Sequence, residues 1–385
     1  MRKMVSALLM ATAVISFAGC AEAATGNTVA GQAEAPARAS QIVIEGTNSL
    51  EDATRINAAI AASPEGSEVL FRGRFLINET IRLLGNRSYR GESRAGTVLQ
   101  QADGANLDAL VVTSGFRDNK PWTGQPVSVS HLQLDGNRRH NTQSETTGLV
   151  LRAWLSIVED MHIKDMGGDG LRLTNRSADG TGLDTSQVNG RISNSFIERS
   201  GRHGIFVEDS QNRVTDWILS DNWIAGTGMD GIHLGNAAGW YVVRNHIYGV
   251  SQNAIYAKRL FGTSITDNYI EGFGEKDSKG VWYGIYGTLQ GSVASTIARN
   301  RIFNVHGAQR EGSGNRYLAL TVNAGTAMAV VTGNAIRGAG TPSGTGLYFA
   351  APGKRKLILT STGNAVENVA TKRLLDGDVT LSSGL

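Results

Sequence analysis

One short unit recurs along the chain and limits what it can fold into. The unit is Asn-x-Ile, then a Gly-rich turn, then Gly-Ile/Leu-x-Leu/Val. It reads SDNWIAGTGMDGIHL over 220–234, VRNHIYGVSQNAIYA over 243–257 and TDNYIEGFGEKDSKGVWYGIYG over 266–287. Fainter copies occupy 161–173, 194–207, 298–307, 332–349 and 362–369. Asn222, Asn245, Asn268, Asn300, Asn334 and Asn364 are 23, 23, 32, 34 and 30 residues apart. A fixed motif on a variable period means one coil per repeat, with insertions confined to loops. The apolar runs alternate with period two, as Ile232 and Leu234 do, so they are strands. They are too short for helices and are punctuated by Gly. No single unit can bury its own apolar face, whereas stacked units bury columns of Ile, Leu and Val. Asn at one turn of successive coils can form a ladder of stacked amides, a structural role. Composition agrees: with 48 Gly, 6 Pro and 18% charged residues in 385, this is a turn-rich β chain rather than a disordered one or a coiled coil.

This repeat resembles that of the right-handed parallel β-helix superfamily, which includes the pectate lyases. Asp52-Ala53-Thr54 followed by Ile56, Ala59 and Ile60, and then Val69-Leu70-Phe71-Arg72-Gly73-Arg74-Phe75, is similar to the capping helix and first strand of that superfamily's amino-terminal module. Arg72 and Phe75 stand where the usual pattern has Pro and Tyr, and the segment is one residue shorter. Leu132-Gln133-Leu134-Asp135-Gly136-Asn137 resembles a strand-end common in these proteins. The resemblance implies an all-β fold, a single-stranded right-handed parallel β-helix solenoid of about ten coils, roughly 50 Å long. A short amino-terminal helix over Asp52–Ala62 is expected to cap it, because a bare sheet edge invites aggregation. Fold by itself does not fix chemistry.

The amino terminus reads as a secretory signal over 1–20: Arg2 and Lys3, then the apolar run Met4–Phe17. Ser16-Phe17-Ala18-Gly19-Cys20 resembles a bacterial lipobox, which implies lipidation of Cys20 and an anchor in the outer membrane. Ordinary cleavage after Ala21-Glu22-Ala23 is the alternative; both readings export the protein. Residues 21–40 form a polar tether, 41–376 the β-helix and 377–385 a polar carboxy-terminal tail. Cys20 is the only cysteine, so the exported domain has neither disulfides nor thiolate chemistry. Removing residues 1–19 takes 37 basic residues to 35, against 34 acidic, a net charge of +1. That balance, with no basic cluster, argues against a nucleic-acid partner. A monomer is expected.

Parallel coils place equivalent residues in columns, so a site can form without sequence proximity. In Gly-Ile-x-Leu the Ile points inward, and the residue after it points out. The first outward column is Arg172, Phe206, His233, Tyr256, Tyr286; the second is Thr174, Glu208, Gly235, Lys258, Thr288. Asp169, His203, Asp230, Asn253 and Tyr283 occupy the turn before each strand. The solvated face of a structural rod would carry Thr, Ser, Asn and Lys, whereas this strip concentrates His, Tyr, Arg and carboxylates. Another outward column, Phe196, Trp223, His246, Tyr269 and Arg301, reads as ring-on-ring packing, with a sugar platform as the alternative.

Three functions compete. A polysaccharide lyase, or a related epimerase, removes the proton α to a uronate carboxylate and needs a base, a cation and an acid. Lys258 is the expected base, Arg259 or Arg202 the neutraliser, and Tyr256 or His233 the acid, with Arg172, His203, Phe206, Glu208, Tyr283 and Tyr286 lining the substrate path. A glycoside hydrolase would pair Asp230 with Glu208 or Asp169; Asp before Gly is also an ordinary turn residue. The third function is a non-catalytic carbohydrate-binding rod of the envelope. No cofactor is required. Ca²⁺ on Asp165 and Asp169 lacks support, since the seven His are scattered and no metal motif is present.

Overall fold

The computed structural model describes residues 40–275, 280–291, 293–304, 314–339 and 344–382. The expected signal, Cys20 and nearly all of the tether lie outside these residues. The chain winds through three long parallel sheets, of 13, 11 and 11 strands. One coil illustrates the path: Ile218–Ser220 lies in sheet one, Trp223–Ala225 in sheet two and Ile232–Leu234 in sheet three. Each strand pairs in parallel with its equivalent in the neighbouring coils, as Ile232 does with Ile205 and Ile255. Thirteen strands stack to roughly 60 Å, somewhat more than ten coils would give. The difference lies at the ends, where the repeat motif fades but the pairing continues.

The inward positions are the apolar ones of the repeat. Leu219, Val242, Ile265 and Ile297 line sheet one, Ile224, Ile247, Ile270 and Ile302 sheet two, and Ile232, Ile255 and Ile285 sheet three, all fully buried. The Gly that opens the Gly-Ile-x-Leu strand is required by space. A Cβ on Gly231 would lie 2.7 Å from Ile247 Cγ2 and 2.8 Å from the Ala254 carbonyl, and Gly204 is confined in the same way by Ile224 and Gly231.

Two residues turn the chain from sheet one to sheet two. The second is the repeating Asn, buried in all but the last of the six coils through which its amide column runs. Nδ2 to Oδ1 distances are 3.0 Å (Asn222–Asn245), 3.1 Å (Asn245–Asn268), 2.9 Å (Asn268–Asn300), 3.0 Å (Asn300–Asn334) and 2.9 Å (Asn334–Asn364). The first turn residue has positive φ: Asp221 at 61°, Arg244 at 55°, Asp267 at 60° and Arg299 at 55°, then Gly333 and Gly363. Alternating charge makes the non-glycine residues partners, Arg244 with Asp221 and Arg299 with Asp267, each through two hydrogen bonds.

The amino-terminal helix, α1, spans Asp52–Ala62, as the sequence implied. It packs against the first strand of all three sheets and buries Ala53, Ile56 and Ile60. Buried Asp52 fastens it: its carboxylate accepts from the Thr47 amide and hydroxyl, the Ser49 amide and the Leu76 amide, and pairs with Arg55. At the other end the expected tail is shorter than 377–385. Val379–Ser382 is a strand of sheet one, paired with Leu357–Thr360. Its alternation of half-buried and exposed residues is too polar to stand out by periodicity.

Candidate functional site

The outward residues of sheet three form one register column: Arg172 pairs with Phe206, Phe206 with His233, His233 with Tyr256, and Tyr256 with Tyr286. Their rings run along the axis at centroid spacings of 5.4 Å, 5.0 Å and 4.7 Å, and the Arg172 guanidinium lies 5.9 Å from the Phe206 ring. Period-two projection from a parallel sheet produces this alignment. The column continues through Ala319 to Tyr348, beyond the reach of the sequence reading. There Arg316 lies 3.6 Å over the Tyr348 ring, and the Tyr348 hydroxyl donates to Asp376 at 2.9 Å. Gly346-Leu347-Tyr348-Phe349 carries the strand motif within the fainter copy at 332–349, so a signal existed.

The turn column is a second ladder, of side chain to backbone. Asp169 Oδ1 accepts the His203 amide at 3.1 Å, and His203 Nδ1 accepts the Asp230 amide at 3.2 Å. Asp230 Oδ1 accepts the Asn253 amide at 3.0 Å and its Nδ2 at 2.7 Å; Asn253 Oδ1 accepts the Tyr283 amide at 2.9 Å. Each side chain thus satisfies a backbone N–H of the next coil. Because His203 accepts through Nδ1, it is neutral, with its proton on Nε2. Burial pushes its pKa down to about 4; Asp230 opposes this, while His233 and Arg202 reinforce it. Burial pushes Asp169 up to about 6, against the His203 amide and the nearby Arg202 and Arg172.

Asp230 keeps its second oxygen for the strip. His233 Nδ1 donates to Asp230 Oδ2 at 2.7 Å, which fixes the tautomer and leaves Nε2 directed away from the turn. The next ring, Tyr256, has its pKa raised to about 12 by burial first and then by Tyr286, Asp230 and Tyr283. Its hydroxyl therefore keeps its proton at neutral pH.

The other expected residues fall into distinct settings. Glu208 is paired with Arg172 and accepts from Thr174 Oγ1 at 2.6 Å. Arg202 pairs with Glu145 at 3.0 Å and lies 3.7 Å from Asp169. The Tyr283 ring is 4.7 Å from that of Tyr286. Lys258, expected in the second column, lies together with Arg259 at an irregularity of the strand. Between Ala257 and Leu260 the register shifts, so two residues oppose the single Thr288, a β-bulge. Arg259 takes φ 57°, its amide donates to Thr288 Oγ1 at 2.9 Å, and its guanidinium reaches the Ser210 carbonyl at 3.4 Å. Lys258 is exposed, with Nζ 5.5 Å from the centroid of the Tyr256 ring.

The carboxylates weighed for Ca²⁺ are engaged elsewhere. Asp165 is held at two points by Arg199, and Asp169 is buried in the turn ladder. His203, Asp230 and His233 bring ligand-type atoms within 4.8 Å of one another. A cation among them would have to displace the hydrogen bonds of Asp230 just described.

A parallel β-helix with a stacked-ring strip and an oriented His–Asp pair on one outer face is the class of protein that fold and site define. The family described as right handed beta helix region matches residues 151–368, more than half the chain, and the chain belongs to it. Among solved structures, the Azotobacter vinelandii mannuronan C-5 epimerase AlgE4 A-module is similar at 17% identity and a TM-score of 0.58, over 88% of this chain and 97% of that one. The Dettilon tailspike protein is similar at 13% identity and a TM-score of 0.57, over 89% of this chain and 68% of that one. The Streptococcus pneumoniae surface protein and adhesin PfbA follows at 11% and 0.53, over 85% and 96%. Such identities concern the fold. No curated protein matches the sequence.

Proposed function

We propose that the protein cleaves a uronate-containing polysaccharide by β-elimination along sheet three. The observation that carries this reading is the His233–Asp230 pair, 2.7 Å apart, with the protonated Tyr256 stacked on it one coil away. His233 Nε2 takes the proton from the carbon α to the carboxylate. The charge that develops spreads into that carboxylate, which Lys258 beside Tyr256 helps to neutralise. The bond to the leaving oxygen then breaks, a carbon–carbon double bond forms, and Tyr256 gives its proton to that oxygen. His233 replaces Lys258 as the base because an imidazole oriented by Asp230 is suited to the task, whereas Lys258 sits on an exposed bulge.

Base and acid stand on one face of one sheet, which matches a syn elimination. Epimerisation, the chemistry named for the similar Azotobacter module, instead returns a proton to the opposite face of the sugar. Hydrolysis is less favoured, because both oxygens of Asp230 are taken by neighbours and Glu208 is ion-paired with Arg172. A non-catalytic glycan-binding rod is the second reading, favoured by the run of ring contacts from Phe206 to Tyr286. The same proposal has the protein exported and held to the outer membrane through lipidated Cys20, where polymers are accessible; incorporation of labelled palmitate tests that part.

The test is a screen of uronate-containing and neutral polysaccharides, following ultraviolet absorbance of unsaturated products and their mass. His233→Ala is expected to lower kcat about 100-fold or more, and Lys258→Ala to raise KM for the charged polymer with a smaller loss in kcat. EDTA is expected to leave the rate unchanged. Reducing ends without the absorbance would establish hydrolysis, and retention of polymer without product would establish the binding rod.

A further inference from the structure

Sheet two carries a ring column of its own, on a different face from the strip above. His162, Phe196, Trp223, His246 and Tyr269 are register partners, with centroids 5.1 Å apart for His162–Phe196, 4.0 Å for Trp223–His246 and 4.2 Å for His246–Tyr269. Packing of rings upon one another accounts for the column as a whole. It does not account for Trp223, which is 45% exposed: His246 stacks on it at 4.0 Å, whereas Phe196 stands nearly perpendicular to it, 6.3 Å away. With Phe196 and Tyr248 it lines a cavity of about 520 Å³, within the roughly 300–1,000 Å³ of small-molecule clefts.

The remaining lining is polar and held in place. Arg94 arrives from a loop far earlier in the chain and bonds the Asn194 carbonyl at 3.4 Å and Asp160 at 3.4 Å. Asp160 also accepts from His131 at 2.9 Å, and Asp221, across the cavity, is held at two points by Arg244. Both carboxylates therefore have cationic partners and still present oxygens beside an exposed indole. An apolar ring face bordered by fixed donors and acceptors matches a pyranose, whose C–H face lies on an aromatic ring while its hydroxyls bond at the edge. Each carboxylate is offset by an arginine, so the rim has no net charge and suits a ligand that carries none.

We propose that this cavity is a second saccharide site, which seats a neutral hexopyranose on Trp223 with its hydroxyls bonded by Asp160, Asp221 and Arg94. It holds a neutral glycan and is separate from the uronate chemistry proposed for sheet three.

The test is calorimetric titration of the full chain with maltohexaose, cellohexaose and mannohexaose, with an oligomannuronate as the charged comparator. At least one neutral hexaose is expected to bind with a Kd on the order of 0.1–1 mM. Trp223→Ala should weaken it at least tenfold and Asp160→Asn severalfold, while His233→Ala leaves it unchanged. Asp160 has a φ of 49°, a conformation Asn adopts readily, so the second variant keeps the fold if the first does not. Failure of all three hexaoses to bind, wild-type affinity in both variants, or displacement by the oligomannuronate overturns the proposal. The readout is binding, so it stands or falls independently of any lyase activity.

Discussion

His203 and Asp169 are neighbours in the turn ladder whose titrations oppose each other. The His203 pKa is depressed to about 4 from an ordinary value near 6.5, so its contribution to stability is complete above pH 6.5 and is lost as pH falls towards 4. The Asp169 pKa is raised to about 6 from 3.8, so protonation restores stability as pH falls through the same window. Thermal melts between pH 7 and 4 should show the wild type changing little through these two groups. Asp169→Asn should lose stability steeply on acidification, and His203→Asn should gain. Asn suits the second substitution because Asn253 performs the same acceptor role two coils on. The places of these residues were legible in the sequence, since a period-two strand fixes which side chains share a column. Their duties were not. Asp230 reads as a free carboxylate until the Asn253 amide and the His233 ring are seen to occupy its oxygens.

Turns and caps show where local sequence decides an element and where tertiary contact does. Asn245 accepts from Asn222 at the amide (3.1 Å) and Nδ2 (3.0 Å) and donates to the Leu219 carbonyl (3.0 Å) and Asn268 (3.1 Å). Asn245→Ala orphans these buried groups and should cost about 3 kcal/mol or more in denaturant unfolding. Arg244→Gly, one residue earlier, should be nearly neutral. It relieves a left-handed non-glycine backbone while losing an exposed ion pair. Asp52→Ala should free the α1 cap, read as lost amide-exchange protection over Asp52–Ala62 before the rest of the chain opens. The helix was legible because its Ile56 and Ile60 spacing is local. The Lys258–Arg259 bulge was not, because an extra residue in one strand shows only against its partner, Thr288.

In the molecule as a whole the sheets join each coil to its two neighbours, and the amide column marks the junctions. Successive asparagines are 23, 23, 32, 34 and 30 residues apart, and the strands of the longer coils lengthen too, from three residues at Ile232–Leu234 to eight at Tyr283–Gln290 and nine at Arg316–Ala324. Such a stack has no single keystone. Stretched by its ends in a force microscope, it should unreel like thread from a bobbin, one winding per rupture. Each rupture would release roughly 80–115 Å of slack at about 3.4 Å per residue, so the tooth widths of the trace would follow the intervals between asparagines. A single cooperative release of the whole stack would contradict this.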